Sequence, residues 1–115
     1  MSEPSVFTRI LRGEIPSEIV AETDRVFAIR DIAPQAPVHF LVIPKTDQYR
    51  DVVELAAGDP SLLAEMTGLA AQLADEHADG DFRLIFNRGA GAGQTVFHVH
   101  AHVLSGGLDE GSLGG

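Results

Sequence analysis

Apolar positions change their spacing several times along the chain, and each change marks an element. Val6, Phe7, Ile10 and Leu11 share one helical face behind Ser5, a favoured cap, with Gly13 at the end and Pro16 beyond. Residues 18–23 and 25–31 read as two strands joined by a tight turn near Asp24, and residues 38–43 as a third strand closed by Pro44. Asp59 as cap and Pro60 in the first turn precede Leu62, Met66, Leu69, Ala70 and Leu73, a 3.6-residue stripe that predicts the main helix, ending near Gly80. Residues 81–87 and 95–104 supply the last two strands. Mostly hairpin connections predict an α+β fold, a five-stranded antiparallel sheet with one long and one short helix packed on one face.

Composition narrows the class. A chain of 115 residues with 44% hydrophobic positions suits one domain over residues 1–115 with a modest core and no internal boundary. Its start lacks the basic and apolar stretches of a signal peptide, and no apolar run approaches the ~18 residues of a membrane span, so a cytoplasmic protein without membrane contact is expected. The absence of cysteine agrees with a reducing compartment. A net charge of -9 argues against general nucleic-acid affinity, which needs Lys and Arg to neutralise phosphates. Any phosphate site must be local.

The most informative segment is residues 95–104, where His98, His100 and His102 alternate with Phe97, Val99, Ala101 and Val103. In a strand the three imidazoles project from one face and the apolar side chains from the other. Adjacent imidazoles repel one another once protonated, so a plain solvent face would use Thr, Lys or Glu instead. Three readings stand: a structural cluster, a metal site with an open position, and phosphoryl or nucleotidyl transfer through a histidine nucleophile. The preceding loop, residues 87–95, has glycines at 89, 91 and 93, which let a backbone approach an anion or simply make a long hairpin turn. It delivers Asn87, Gln94 and Thr95, all neutral hydrogen-bonding side chains, to the edge of the histidine face.

Residues 91–104, with their His-x-His-x-His pattern, resemble the signature of the histidine triad family. Residues 31–45, Asp-Ile-Ala-Pro-Gln-Ala-Pro-Val-His-Phe-Leu-Val-Ile-Pro-Lys, resemble its Hint-like branch, and residues 6–16 resemble its N-terminal helix. The three blocks stand in the family's order between about residues 5 and 106, leaving residues 107–115 as a divergent flexible tail. The resemblance implies a hydrolase of purine nucleoside phosphoramidates acting through a nucleotidyl-histidine, with no cofactor and a purine nucleotide as substrate. It implies His100 as nucleophile, the His98 backbone orienting it, His102 at the phosphate and leaving group, and His39 close by. Asn87, Gly93, Gln94 and Thr95 match nucleotide contacts on the phosphate side. Asp31 matches the acceptor of the ribose hydroxyls, and Val6, Phe7, Ile10 and Ile32 match the base pocket. It also implies a homodimer, pairing the long helix and the strand before the glycine loop across a two-fold axis. Dinucleoside polyphosphate hydrolysis, and a nucleotide-binding interaction protein with incidental activity, are the alternatives.

Each matched residue also has a plainer use. Asp31 suits a turn, His39 a hydrogen-bonded core position, and the first helix's apolar residues a core face on any reading. His77 suits the C-terminal end of the long helix. Departures from the family pattern matter too. Many bacterial members hold a structural zinc with two cysteines near the first helix, a histidine after the Pro-Lys and the first triad histidine. Ser5, Thr8 and Asp47 stand at three of those positions here, so no metal is expected. Arg30 and Arg88 replace residues common in Hint relatives, and the tail lacks a Trp-Pro-Pro ending, so base and leaving-group preference are where this chain is expected to differ.

Overall fold

The computed structural model describes residues 3–112. The end of the tail, residues 113–115, lies outside the described residues. Helix α1 (Val6–Leu11) is followed by strands β1 (Ile19–Glu22), β2 (Val26–Arg30) and β3 (Val38–Pro44), then helices α2 (Val52–Gly58) and α3 (Pro60–His77). Strands β4 (Arg83–Ile85) and β5 (Ala101–Ser105) complete the sheet, with a 3-10 turn at Ala90–Ala92 between them. All pairings are antiparallel in the order β1-β2-β3-β5-β4.

The alternation of side chains on β2, β3 and β5 divides the core in two. Val26, Ala28, Phe40, Val42, Val99, Ala101 and Val103 meet the α3 stripe, with Leu62, Met66, Leu69, Ala70 and Leu73 all buried as its period requires. On the other face Phe27, Ile29, Leu41 and Ile43 meet Phe7 and Ile10 of α1. The helices therefore do not share one face: α1 covers the side opposite α3, because its two buried apolar residues, Phe7 and Ile10, pack on the odd-numbered positions of β2 and β3. That arrangement puts the site between α1 and the sheet.

Three other expectations change. Helix α2 leaves no stripe in the apolar pattern, since only Leu55 of its seven residues is buried. Its signal is the cap: Asp51 accepts from the Glu54 N–H at 2.9 Å. Strand β4 covers three residues rather than seven. Strand β5 begins only at Ala101, so His98 and His100 precede the ladder, and Phe97, expected in the core, is 45% exposed with the Arg50 guanidinium 5.2 Å from its ring centre. His77 sits in the last turn of α3, its ring 5.0 Å from that of Phe40. No helix among the described residues is long and apolar enough to cross a membrane.

Candidate active site

A cavity of about 490 Å³ opens between α1 and the sheet. Val6, Phe7 and Ile10 form one wall, Asp31 and Ile32 after β2 form the rim, and Asn87, Gly93, Thr95, His100 and His102 complete the polar side. Ile32 is 96% exposed, an apolar side chain held at the mouth without a protein partner to cover it. Three of the singled-out residues, His98, His39 and Gln94, do not line this cavity but stand behind it, 1%, 5% and 4% exposed.

Hydrogen bonds from groups of fixed polarity assign His39, His98 and His100, and His102 follows from His39. The Gln35 backbone N–H points at His39 Nδ1 at 3.0 Å, so that nitrogen accepts and Nε2 carries the proton. His39 Nε2 lies 2.9 Å from His102 Nδ1 and 3.4 Å from Asp31 Oδ2. With the proton donated to His102 Nδ1, His102 holds its own on Nε2, toward the cavity. His100 Nδ1–H donates to the His98 carbonyl at 2.9 Å, leaving the Nε2 lone pair unused by the protein. His98 Nε2–H donates to the Pro44 carbonyl at 2.8 Å, so its Nδ1 accepts, from the Ser5 hydroxyl at 2.6 Å.

Burial keeps all four rings uncharged. Desolvation is the main cause that lowers the pKa of His39, His98 and His100, outweighing in His39 the pull of Asp31 and in His98 and His100 their hydrogen bonds to carbonyls. His102 is lowered to about 4, by burial first and then by His100 and His39 beside it. At neutral pH the wall offers a nucleophilic nitrogen at His100 and a neutral N–H donor at His102.

The glycine loop is less open than its composition implies. The amides of Ala92, Gly93 and Gln94 bond to carbonyls within the loop at 3.0–3.1 Å, and the Gly89 N–H donates to Gln94 Oε1 at 2.8 Å. Gly89 and Gly93 have φ of +90° and +94°, the left-handed values that glycine adopts without strain. Gln94 also donates to the Arg50 and Val96 carbonyls at 2.7 and 3.1 Å, which makes it the brace of the loop rather than a wall residue. Asp31 is a turn residue as well as a rim residue, since Oδ1 accepts from the Ala33 N–H at 2.8 Å. Arg30 lies in the cavity lining, with its guanidinium over the Phe40 ring and paired with Glu18, whereas Arg88 is outside the lining and lies 3.5 Å from Asp51.

In both candidate metal sets the imidazoles are already committed to hydrogen bonds. Asp31, His39 and His102 lie close enough to share an ion, but a ligating histidine gives its other nitrogen's proton to an acceptor, and His39 Nδ1 faces the Gln35 N–H donor. At the position of the relatives' zinc site, His98 has both ring nitrogens engaged, and Ser5, Thr8 and Asp47 supply no thiolate or imidazole. The missing signals were backbone groups: Gln35 N–H, Tyr49 O, which accepts from the Val99 N–H at 3.0 Å, and Arg50 O cannot be read as partners from side-chain identity.

Residues 12–107 match the HIT domain family model. The chain belongs to the HIT family. It is 42% identical over 108 residues to the purine nucleoside phosphoramidase of Escherichia coli K12, covering 92% of this chain and 90% of that protein. It is 44% identical over 110 residues to an uncharacterized HIT-like protein of Synechocystis, covering 92% and 93%. A HIT family hydrolase from Clostridium thermocellum superposes with a TM-score of 0.85 at 43% identity, covering 96% of each chain. Within the HIT family this chain is a hydrolase.

Proposed function

We propose that this HIT hydrolase cleaves purine nucleoside phosphoramidates, nucleoside monophosphates joined to an amine, through a nucleotidyl-histidine on His100. The observation that carries the reading is the His100 Nδ1–H bond to the His98 carbonyl, which fixes the tautomer with the Nε2 lone pair free to attack. The named activity of the Escherichia coli relative supports the substrate class. His100 Nε2 attacks phosphorus and the P–N bond to the amine breaks, with the departing nitrogen protonated through His102. Water then displaces His100 and returns that proton to His102. His39 keeps His102 in the required tautomer, and the His98 backbone keeps His100 in its own.

The nucleoside end fits the other walls. Val6, Phe7, Ile10 and Ile32 hold the base, and the exposed Ile32 gains cover when a purine lies under it. Asp31 Oδ2 accepts from the ribose while Oδ1 stays in its turn. Asn87, Gly93 and Thr95 flank the phosphate, and Gln94 braces their loop through the Gly89 N–H and the Arg50 and Val96 carbonyls. The chain works as one domain in the cytoplasm and as a homodimer, in which a second copy covers the apolar edge around β4, where Phe82, Leu84 and Phe86 are only partly buried. Sedimentation at micromolar concentration is expected to give the dimer, and a monomer removes that part of the reading.

Turnover of an adenylyl amine beside a diadenosine polyphosphate tests the substrate class. The amine is expected to be preferred, and faster cleavage of the polyphosphate, or binding of nucleotide without turnover of either, overturns the assignment. Rapid-quench intact mass is expected to show one added nucleoside monophosphate on His100, and an adduct on His98 or His39 contradicts the mechanism.

A further inference from the structure

We infer that Ser5 is a positioning residue for the nucleophile, acting through His98. The inference rests on the reading that His100 is that nucleophile. The carbonyl that orients His100 belongs to His98, and His98 precedes the first residue of β5, so no ladder hydrogen bond holds it. Its position depends on local anchors. The Val99 N–H bonds to Tyr49 O at 3.0 Å, the His98 ring donates to Pro44 O at 2.8 Å, and the Ser5 hydroxyl donates to the remaining ring nitrogen at 2.6 Å.

The direction of that last bond is fixed by the first two partners. Pro44 O can only accept, so His98 Nε2 carries the ring proton and Nδ1 needs a donor. Ser5 Oγ already accepts from the Thr8 N–H at 3.1 Å as the cap of α1, and its own proton has His98 Nδ1 at 2.6 Å or the Thr8 hydroxyl at 3.3 Å to choose from. The shorter contact is to the acceptor that has no other donor. Without it a ring nitrogen of a residue 1% exposed is left unsatisfied, a desolvation cost that the segment relieves only by moving.

Ser5 thereby ties two parts of the site together. As cap it starts the helix that carries Phe7, whose ring packs edge-on against His98 and His100 at centroid distances of 5.7 and 4.8 Å. As donor it sets the ring of His98, the residue whose backbone carbonyl holds the nucleophile. Asp47 and His100 are the other titratable groups that act on His98.

Three variants separate the roles. Ser5→Gly keeps most of the cap, since glycine is itself a tolerated N-cap residue, but removes the donor. Ser5→Thr keeps both cap and donor, and Ser5→Ala loses both. With an adenylyl amine, Ser5→Gly is expected to lower kcat about ten-fold, the scale of a modest misplacement of a reacting group, with KM changed less than about two-fold. Ser5→Thr is expected to restore at least half of the wild-type kcat. By nitrogen-15 NMR, the His98 Nδ1 signal in Ser5→Gly should move toward that of an unbonded ring nitrogen, and the His100 Nδ1–H should exchange faster with solvent. Wild-type kcat with unchanged exchange in Ser5→Gly overturns the inference, as does a loss that Ser5→Thr does not restore. The NMR arm reads the coupling even if the wild type fails to turn over the amine, which separates failure here from failure of the proposed substrate.

Discussion

Two halves of one histidine motif are held in place by different means. His102 lies within β5, flanked on the ladder by Leu41 of β3 and Ile85 of β4, so the sheet itself sets its backbone. His98 and His100 lie before the ladder, and their segment is pinned by a ring-to-carbonyl bond, a hydroxyl and one amide. A paired strand gives each residue its place at little cost in side chains. The approach segment instead consumes both nitrogens of one imidazole to fix the other. In return, the His98 carbonyl is released from strand pairing and can accept from His100, which a central ladder residue on that edge could not spare.

The sharpest way to break the anchored half is to remove its reacting group. His100→Ala is expected to lower kcat by at least about 10³-fold, because no second group replaces a lost nucleophile. Affinity for adenosine monophosphate by calorimetry should stay within about three-fold, since the base and ribose walls are untouched. Retention of near wild-type turnover rules out the covalent route.

Breaking the ladder half should cost less and should depend on the substrate. His102→Ala is expected to slow cleavage of an amine-linked substrate by roughly 10²–10³-fold, in the range of a lost proton-transfer group. The loss should shrink at least ten-fold for a leaving group that departs as a stable anion, such as a nitrophenolate. An equal loss on both substrates assigns His102 to phosphate binding alone.

The same contrast decides what could be read from the chain. The α3 stripe and strands β1 to β3 were legible because burial repeats with the element's own period, and their edges moved by a residue or two. The approach segment kept the alternation of a strand through Val99, which is buried, yet it is not paired, and Phe97 faces solvent beside Arg50. Alternation reports which way side chains point and says nothing of whether a neighbour strand is there. The family's motif names residues that lie together at one cavity, whereas the partners of Gln94 are backbone groups, which side-chain identity does not report. The role of Ser5 was hidden by its cap, which explained the residue sufficiently without His98.

Acid should weaken both halves in a defined window. A histidine whose folded pKa is lowered makes the folded state bind fewer protons than the unfolded chain, so stability is full above the unfolded value near 6.5 and falls as pH drops toward the folded value. For His102 the window runs from about 6.5 down to about 4 and is worth roughly 3–4 kcal/mol at ~1.4 kcal/mol per pH unit, with His39, His98 and His100 acting in the same direction. Urea midpoints at pH 7.5, 6 and 5 measure it. His102→Asn should flatten the dependence, and an unchanged slope in that variant places the titration elsewhere.

The smallest effect should come from loosening the approach segment without touching a histidine. Gln94 satisfies the Gly89 N–H and the Arg50 and Val96 carbonyls from a nearly buried position, so Gln94→Ala removes the side-chain partner of three backbone groups. The expected loss is about 1–2 kcal/mol of stability. The fall should be unevenly spread. Amides of residues 94–100 should exchange faster with solvent while those of β5 keep wild-type protection, because the ladder does not depend on the loop brace. kcat should drop only a few-fold, since His98 keeps its own anchors at Pro44 and Ser5. If residues 94–105 instead lose protection together, the two halves form one cooperative unit, and the division between ladder-held and side-chain-held histidines does not govern the site's dynamics.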